Sequence, residues 1–359
     1  MTTGRPCKKN VLASVHVAKR HGDRSLGLLA KASKTRMSSP RGRVGRTDTV
    51  TQTRFTTRAD PRWSAPITTA ADAALSRIFS RQVFRELSTN AQSPLLSRLI
   101  PQSDVLHSSA DAVTLADFFD QAYQRLLRPN RRSAYAYKNL LFKKRLRRSF
   151  YSSMAIMDEF RIGAAVADIV TVDTRIRVFE IKSDRDSFAR IQKQIPEYQK
   201  FGAEVFVVLP ATQESLAHSA LPPECGIITL SDRNTFKTVR QPSQCIDCIN
   251  IETICSSLRI DELLSVARQH NVDNIPDSNM HIRSYITDSL SPIPTIDVRH
   301  TAISALRKRR FSTEETYSWA QALPESLQYL GVSVKLDEVA RGTFSTALAR
   351  LVLPNGEVL

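Results

Sequence analysis

The sequence predicts an α/β fold with helical additions before and after a central sheet region. Three observations carry this. Apolar residues recur at helical spacing over residues 72–128, the pattern switches to a period of two over 154–182, and a continuous apolar strand follows a further helical stretch at 203–209. The 359 residues suit one or two domains and a sizeable core.

The elements follow in order. Residues 1–60 hold 14 Lys or Arg against Asp23, Asp48 and Asp60, a net charge of +11. Rich in Ser, Thr, Gly and Arg and lacking a sustained apolar period, residues 1–70 read as a disordered basic tail. That tail could be an arm on nucleic acid, an organelle transit peptide, an over-long start ahead of Met37 or a later residue, or simply a solvated segment. Residues 61–75 read as a linker. A helical N-terminal region spans 71–134, marked by Leu75, Ile78 and Phe79, then Leu95, Leu96 and Leu99, then Leu115, Phe118, Phe119 and Ala122; Ser109 or Asp111 would cap its last helix.

Residues 125–148 hold ten Lys or Arg and no acid. From Tyr135 to Phe150 they read as one helix with Tyr137, Leu140 and Leu141 as its apolar stripe. Lys138, Lys143, Lys144, Arg145, Arg147 and Arg148 would form a face tracking nucleic-acid phosphates, the alternative being a solvated face. Three strands then fit residues 154–162, 166–172 and 175–182, with turns at Gly163 and at Asp173-Thr174, an antiparallel meander. Asp186 should cap a helix bearing Phe188, Ile191, Ile195 and Tyr198 on one face, and Pro196 should kink it or mark its last turn. Strands at 203–209 and 226–230 complete a core over 135–235. Residues 236–359 read as mainly helical, for example over 260–269 and 311–330, and no internal repeat is visible.

Composition narrows the function. The net charge of +16 suggests a polyanionic partner, yet outside the two basic blocks the chain is net −5, so location matters more than the sum. No apolar run approaches the roughly 20 residues of a membrane span, so no membrane partner is expected. Five cysteines are too few for a disulfide scaffold, and a reducing, cytoplasmic setting is the default expectation.

The chemistry concentrates in the meander. Alternation puts Ile176, Val178, Glu180 and Lys182 on one face of the third strand, and Val166, Asp168 and Val170 on one face of the second. A carboxylate inside Val166-Ala167-Asp168-Ile169-Val170 is costly unless paired or bound to a metal. Hairpin pairing brings Asp168 toward Glu180, and with the Ile181 carbonyl they would form an oxygen-only site for Mg²⁺ or Mn²⁺. Lys182 beside it could position water or stabilise developing charge. Gln194 and Tyr198, at i and i+4, meet on the next helix, where the plainest role is to pin it to the sheet. An isolated Glu-x-Lys is commonly just a salt bridge; Asp168 at hairpin spacing makes this one more specific.

Asp168, Glu180-Ile181-Lys182 and Gln194-x-x-x-Tyr198 resemble the PD-(D/E)XK nuclease superfamily, including the Gln-x-x-x-Tyr motif of its RecB-like branch. More narrowly, Tyr137-Lys138-Asn139, Glu159-Phe160, Ala167-Asp168-Ile169, Phe179 through Ser183, Asp186-Ser187, Arg190-Ile191 and Gln194 resemble a bacterial family of unassigned role named after a myxobacterial "sce" locus tag. The resemblance covers roughly residues 75–350. It implies a restriction-endonuclease-like αβββαβ core, a mixed sheet flanked by helices. It also implies Asp168 and Glu180 as metal ligands, Lys182 as catalytic lysine, Glu159 as an additional acid, and Gln194 and Tyr198 contacting DNA or ordering the site. Pro196 inside the Gln-x-x-x-Tyr turn, and the lack of an acid near Ser133-Ala134, depart from the pattern.

Other signals are weaker. Cys245-x-x-Cys248 with Cys255 lacks the partners of a zinc site, and buried or free thiols are the expectation. Asp184-x-Asp186 is read as helix capping, and Arg307-Lys308-Arg309-Arg310 as a solvated run or an extension of a nucleic-acid surface. The expected function is a Mg²⁺-dependent nuclease on DNA, RNA not excluded. The alternatives are a non-catalytic nucleic-acid-binding protein on the same fold, or an effector module acting on RNA or on a protein partner.

Overall fold

The computed structural model describes residues 69–106, 112–184, 186–188, 190–276, 279–310 and 314–359. The basic tail as far as position 68, and the proposed caps Ser109 and Asp111, lie outside the described residues.

Three short helices open the described chain: α1 (Ala70–Ile78), α2 (Arg81–Asn90) and α3 (Pro94–Gln102). The hydroxyls of Thr69, Ser80 and Ser93 accept hydrogen bonds from the amides of Asp72, Val83 and Leu96, so each helix starts at a capped turn. The Thr69 cap shortens the expected linker over 61–75, because α1 already begins at Ala70. After β1 (Val113–Thr114), α4 (Leu115–Leu126) is capped by Thr114, which accepts from the Asp117 amide at 3.1 Å.

The basic stretch is one helical run in three parts: α5 (Ala134–Leu141), a π-helical turn (Phe142–Leu146) and α6 (Arg147–Ser152). Next come β2 (Ala155–Ile162), β3 (Ala165–Val172), β4 (Ile176–Ile181), α7 (Ile191–Gln199), β5 (Glu204–Pro210), α8 (Glu214–Ala220), β6 (Gly226–Leu230) and β7 (Phe236–Arg240). The remainder is α9 (Ile251–Ser257), α10 (Ile260–Gln269), α11 (Asn279–Leu290), α12 (Thr295–Arg307), α13 (Glu314–Ala322), α14 (Gln328–Ser333), α15 (Glu338–Ala349) and β8 (Leu351–Val352).

Strands β2 to β7 form one six-stranded mixed sheet in sequence order. The β2–β3–β4 meander is antiparallel, β4–β5 and β5–β6 are parallel, and β7 returns antiparallel to β6. Gly163, at φ +55°, supplies the left-handed residue of the tight β2–β3 turn. One face of the sheet packs on α7 and α9 to α12; Tyr198, Leu263 and Val298 are fully buried there. The other packs on α5, the π turn, α6 and α14, around Tyr137, Phe142 and Tyr329. Helices α1 to α4 and α15 build a further apolar cluster, including Phe84 against Phe344, tied off by the β1–β8 pair.

Several expectations need correction. Strand β7 is absent from the sequence reading; Phe236-Lys237-Thr238-Val239-Arg240 has too little apolar content to stand out before its partner β6 is known. The helix expected over 311–330 is interrupted: α13 ends at Ala322, and Pro324 precedes a 3₁₀ turn that leads into α14. Asp186 does not cap α7. Its carboxylate accepts from the Ser183 amide and hydroxyl at 2.9 and 2.7 Å, closing a turn, and the helix starts at Ile191 without a side-chain cap. Pro196 does lie inside α7, which ends one turn later. Cys245 and Cys248 are not free thiols: they form a disulfide with Cα atoms 5.4 Å apart, while Cys225 and Cys255 are free and buried. Among the described residues no helix is long and apolar enough to cross a membrane.

Candidate functional site

The site arises from one irregular rung of the β2–β3 hairpin. In β2, Ala155 and Met157 face the α7 side of the sheet, but so do Phe160 and Ile162, so alternation changes phase between them. In β3, Ala165 and Ala167 share that side with Val170 and Val172, another change of phase. Pairing continues on either side, Asp158 with Ile169 and Phe160 with Ala167, leaving Glu159 opposite Asp168 outside the ladder. Glu159 adopts φ +52°, a left-handed conformation that costs a non-glycine residue about 1 kcal/mol or more. The expectation that Val166, Asp168 and Val170 share one face is therefore corrected: Val166 is solvent-exposed and Val170 is in the core.

This rung lets Asp168 lie in the plane of the sheet. The β3–β4 ladder ends at Ile169–Phe179, and Asp168 Oδ2 accepts from the Ile181 amide at 2.9 Å in place of a main-chain carbonyl. Its Oδ1 lies 3.2 Å from Lys138 Nζ, which comes from α5 on one side of the sheet. Glu180, with the parity of Ile176 and Val178, lies on the opposite, α7 side. Lys182 Nζ donates to Glu180 Oε1 at 3.0 Å. The Tyr198 hydroxyl lies 2.9 Å from both Glu180 Oε2 and the Val166 carbonyl, and accepts from Gln194 Nε2 at 3.3 Å. Gln194 Oε1 is buried without a hydrogen-bond partner.

On the α5 side the network continues through Asp158. Lys138 donates to Asp158 Oδ1 at 2.8 Å, Tyr329 of α14 donates to the same oxygen at 2.7 Å, and Arg81 of α2 pairs with Oδ2 at 2.6 Å. Asn139 fixes α14 here, donating to the Glu325 carbonyl at 2.9 Å and accepting from the Tyr329 amide at 3.0 Å.

The electrostatics match the geometry. Burial, and then the Asp168 carboxylate, hold Glu180 above the usual carboxylate range against the pull of Lys182 and Tyr198. Burial alone would push the Lys138 ammonium down, but Asp168 and Asp158 outweigh it and hold it above its ordinary value. Burial and the Glu180 carboxylate drive the Tyr198 phenol far up, so it is protonated throughout the physiological range.

Of the residues singled out from sequence, Asp168, Glu180, Lys182, Gln194 and Tyr198 converge. Glu159 does not join them: its left-handed backbone turns the side chain out, 57% exposed, to pair with Arg81 at 3.2 Å. Asp158 takes the inner place that the resemblance assigned to its neighbour. Of the six basic residues, Lys138 is buried inside the network instead of lining a surface. Lys143 pairs with Glu325, and Lys144 and Arg145 donate to the carbonyls of Asn234 and Phe236 at 2.6 and 2.7 Å. Arg147 and Arg148 are exposed. Asp158, Arg81 and Tyr329 are not recognisable from the sequence pattern. The one available signal is Lys138 itself, on the same helical row as the core residue Phe142.

The oxygens expected from the sequence to hold a hard divalent cation are those of Asp168, Glu180 and the Ile181 carbonyl, and both carboxylates already have protein partners. Among the described residues no group of three or more His, Cys, Asp or Glu side chains is arranged to hold a metal ion.

Fold and site define a mixed α/β protein with a buried acid–lysine network at the open end of a β-ladder. Residues 128–331 match the family described as Bacteriophage P4 protein cII, and the chain belongs to that family. No curated protein matches it. A protein of unknown function from Silicibacter pomeroyi, SPO1766, aligns at 16% identity with a TM-score of 0.25, over 42% of this chain and 97% of that one.

Proposed function

We propose that this protein is a metal-dependent nuclease hydrolysing DNA phosphodiester bonds, with Mg²⁺ or Mn²⁺ as cofactor. The observation that carries the reading is the meeting of Asp168, Glu180 and Lys182 where the β3–β4 ladder opens. The order α5, β2, β3, β4, α7, β5 supports a restriction-endonuclease-like core of the PD-(D/E)XK type. The donor set fits a hard cation: it is all oxygen, and Glu180 is held high by burial and by the neighbouring carboxylate, a repulsion that a cation relieves. When bound, the metal would polarise a phosphate oxygen and lower the pKa of a water. Lys182 holds Glu180 in place and offers its ammonium to developing phosphate charge. Tyr198 and Gln194 orient Glu180 from α7, and Lys138 fixes Asp168 from α5.

The test is cleavage of plasmid and linear DNA with Mg²⁺ or Mn²⁺, set against Asp168→Ala and Lys182→Ala. Loss of about 10²-fold or more in each variant is expected; equal cleavage by all three proteins rejects the site. An RNA substrate of matched sequence decides between nucleic acids. The family's name ties it to a bacteriophage, and we place the activity in mobile-element biology or defence against foreign DNA.

A second reading, a non-catalytic nucleic-acid-binding protein, draws on one observation: each carboxylate is already partnered by a lysine, Asp168 by Lys138 and Glu180 by Lys182. Salt-sensitive DNA binding with no effect of metal would favour it.

A further inference from the structure

A cavity of about 390 Å³ is lined by Ile156 to Arg161 of β2, Asp158 among them, together with residues of the surrounding helical segments. Among the described residues β2 is an edge strand, paired only with β3. Five cations from separate parts of the chain line it: Arg81 (α2), Arg161 (β2), Arg259 (before α10), Arg309 (after α12) and Lys335 (after α14). Among the described residues the acids that line it are Asp158 and Glu159, and both already pair with Arg81, at 2.6 and 3.2 Å. Arg309 is held by Glu262 through two bonds of 2.5 and 2.6 Å and rests over the Phe160 ring. Among the described residues Arg161, Arg259 and Lys335 have no ion pair. Arg81 Nε is buried without a hydrogen-bond partner. Burial, then Arg259 and Arg309, push the Lys335 ammonium below its ordinary value, with Glu262 opposing. Lys335 thus sits beside Arg259 and Arg309 with Glu262 as their shared counter-charge, and Arg161 adds a further cation to the lining.

We propose that this pocket binds the terminal phosphate of a nucleic-acid strand. The nature of the ligand rests on the nucleic-acid reading above; the cation surplus does not. A terminal phosphate carries about −1.5 to −2 charge and three acceptor oxygens, which suits guanidinium forks converging in a concavity. An internal phosphodiester carries one charge and runs on in both directions, which suits an open groove. A pocket of this size is in the range of single small ligands, roughly 300–1,000 Å³. Asp158 ties the pocket to the site, since one of its oxygens pairs with Arg81 and the other with Lys138, which in turn holds Asp168. An anion drawing on Arg81 would thus be felt at the carboxylates.

The experiment is fluorescence anisotropy of the full chain in EDTA, so that no metal-dependent cleavage intervenes. Short single-stranded DNA with a 5′ or 3′ phosphate is compared with hydroxyl-ended strands lengthened to the same total charge. The wild type should bind one phosphorylated end about tenfold more tightly than its charge-matched control. The exposed double variant Arg259→Ala/Lys335→Ala should bind the two equally. Arg233→Ala, exposed in the turn between β6 and β7 and outside the pocket lining, should keep the preference. Equal binding by the wild type overturns the proposal, as does a preference that survives in the double variant. Thermal stabilisation by inorganic phosphate alone, without discrimination between strand ends, assigns the pocket to a free phosphate and also overturns it. The nuclease reading is judged separately by cleavage with Mg²⁺, so either can fail while the other stands.

Discussion

The two basic regions differ in how their charge is used. The block over 125–148 is contiguous and conspicuous in the sequence, yet most of it serves the fold. Arg132 is 1% exposed and bonds the carbonyls of Leu127, Ser231 and Asp232. Lys138 is buried between two aspartates, and Lys143, Lys144 and Arg145 are tied to neighbouring segments. The edge-strand pocket draws its cations from positions 81, 161, 259, 309 and 335, and three of these have no ion pair among the described residues. Charge adjacent in sequence is absorbed by local structure; charge dispersed in sequence is gathered by the fold and left available.

Substitutions can break this contrast. The largest effect is expected at Lys138. Lys138→Met leaves Asp158 and Asp168 without their shared cation, and should destabilise the chain by about 3–5 kcal/mol in urea unfolding. A loss under about 1 kcal/mol would mean that Lys138 is not structural and would return it to the phosphate-binding surface. Next is Arg309→Ala, which strips a bidentate partner from the mostly buried Glu262 and should cost about 2–3 kcal/mol. Asp158→Asn should cost less, about 1–2 kcal/mol, since the amide retains one acceptor for Tyr329 or Arg81; hydrogen exchange of α14 would report that loosening. Smallest in stability is Arg147→Ala/Arg148→Ala, expected within about 0.5 kcal/mol of wild type. If these arginines meet phosphates, the same variant should reduce the slope of log affinity against log salt by about 0.7–0.9 for each phosphate that is no longer neutralised. An unchanged slope would remove the block from the nucleic-acid surface altogether.

Much of the sheet is legible in the sequence because it rests on local signals. Gly163 and Asp173-Thr174 mark the turns of β2–β4, and the unbroken Val205 to Leu209 run marks β5, buried on both faces. Glu180, Lys182, Gln194 and Tyr198 are readable because they keep regular strand and helix periods. Asp158 escapes notice for the opposite reason. Period-two counting puts Asp158 and Glu159 on opposite faces, and nothing local says that Glu159 takes a left-handed conformation. The contributions of Arg81 and Tyr329, 77 and 171 positions from Asp158, depend on tertiary packing alone. The Cys245–Cys248 spacing, weighed against zinc, gives no local sign of the bond that forms.

The irregular rung has a consequence for how such a hairpin can gain or lose length. Glu159 and Asp168 are each one residue in excess of strict alternation, facing each other across the same rung, so the surplus cancels and the register is undisturbed. Deleting either alone would turn half of its strand inside out relative to its partner. Deleting both would restore an unbroken hairpin, Asp158 beside Phe160 and Ala167 beside Ile169, with every core residue on its present side. Such a chain should fold with native-like circular dichroism and lack the in-plane carboxylate. The in-plane acid thus occupies a paired surplus in an otherwise ordinary hairpin, and a chain lacking it would be recognisable by being shorter by one residue in each strand.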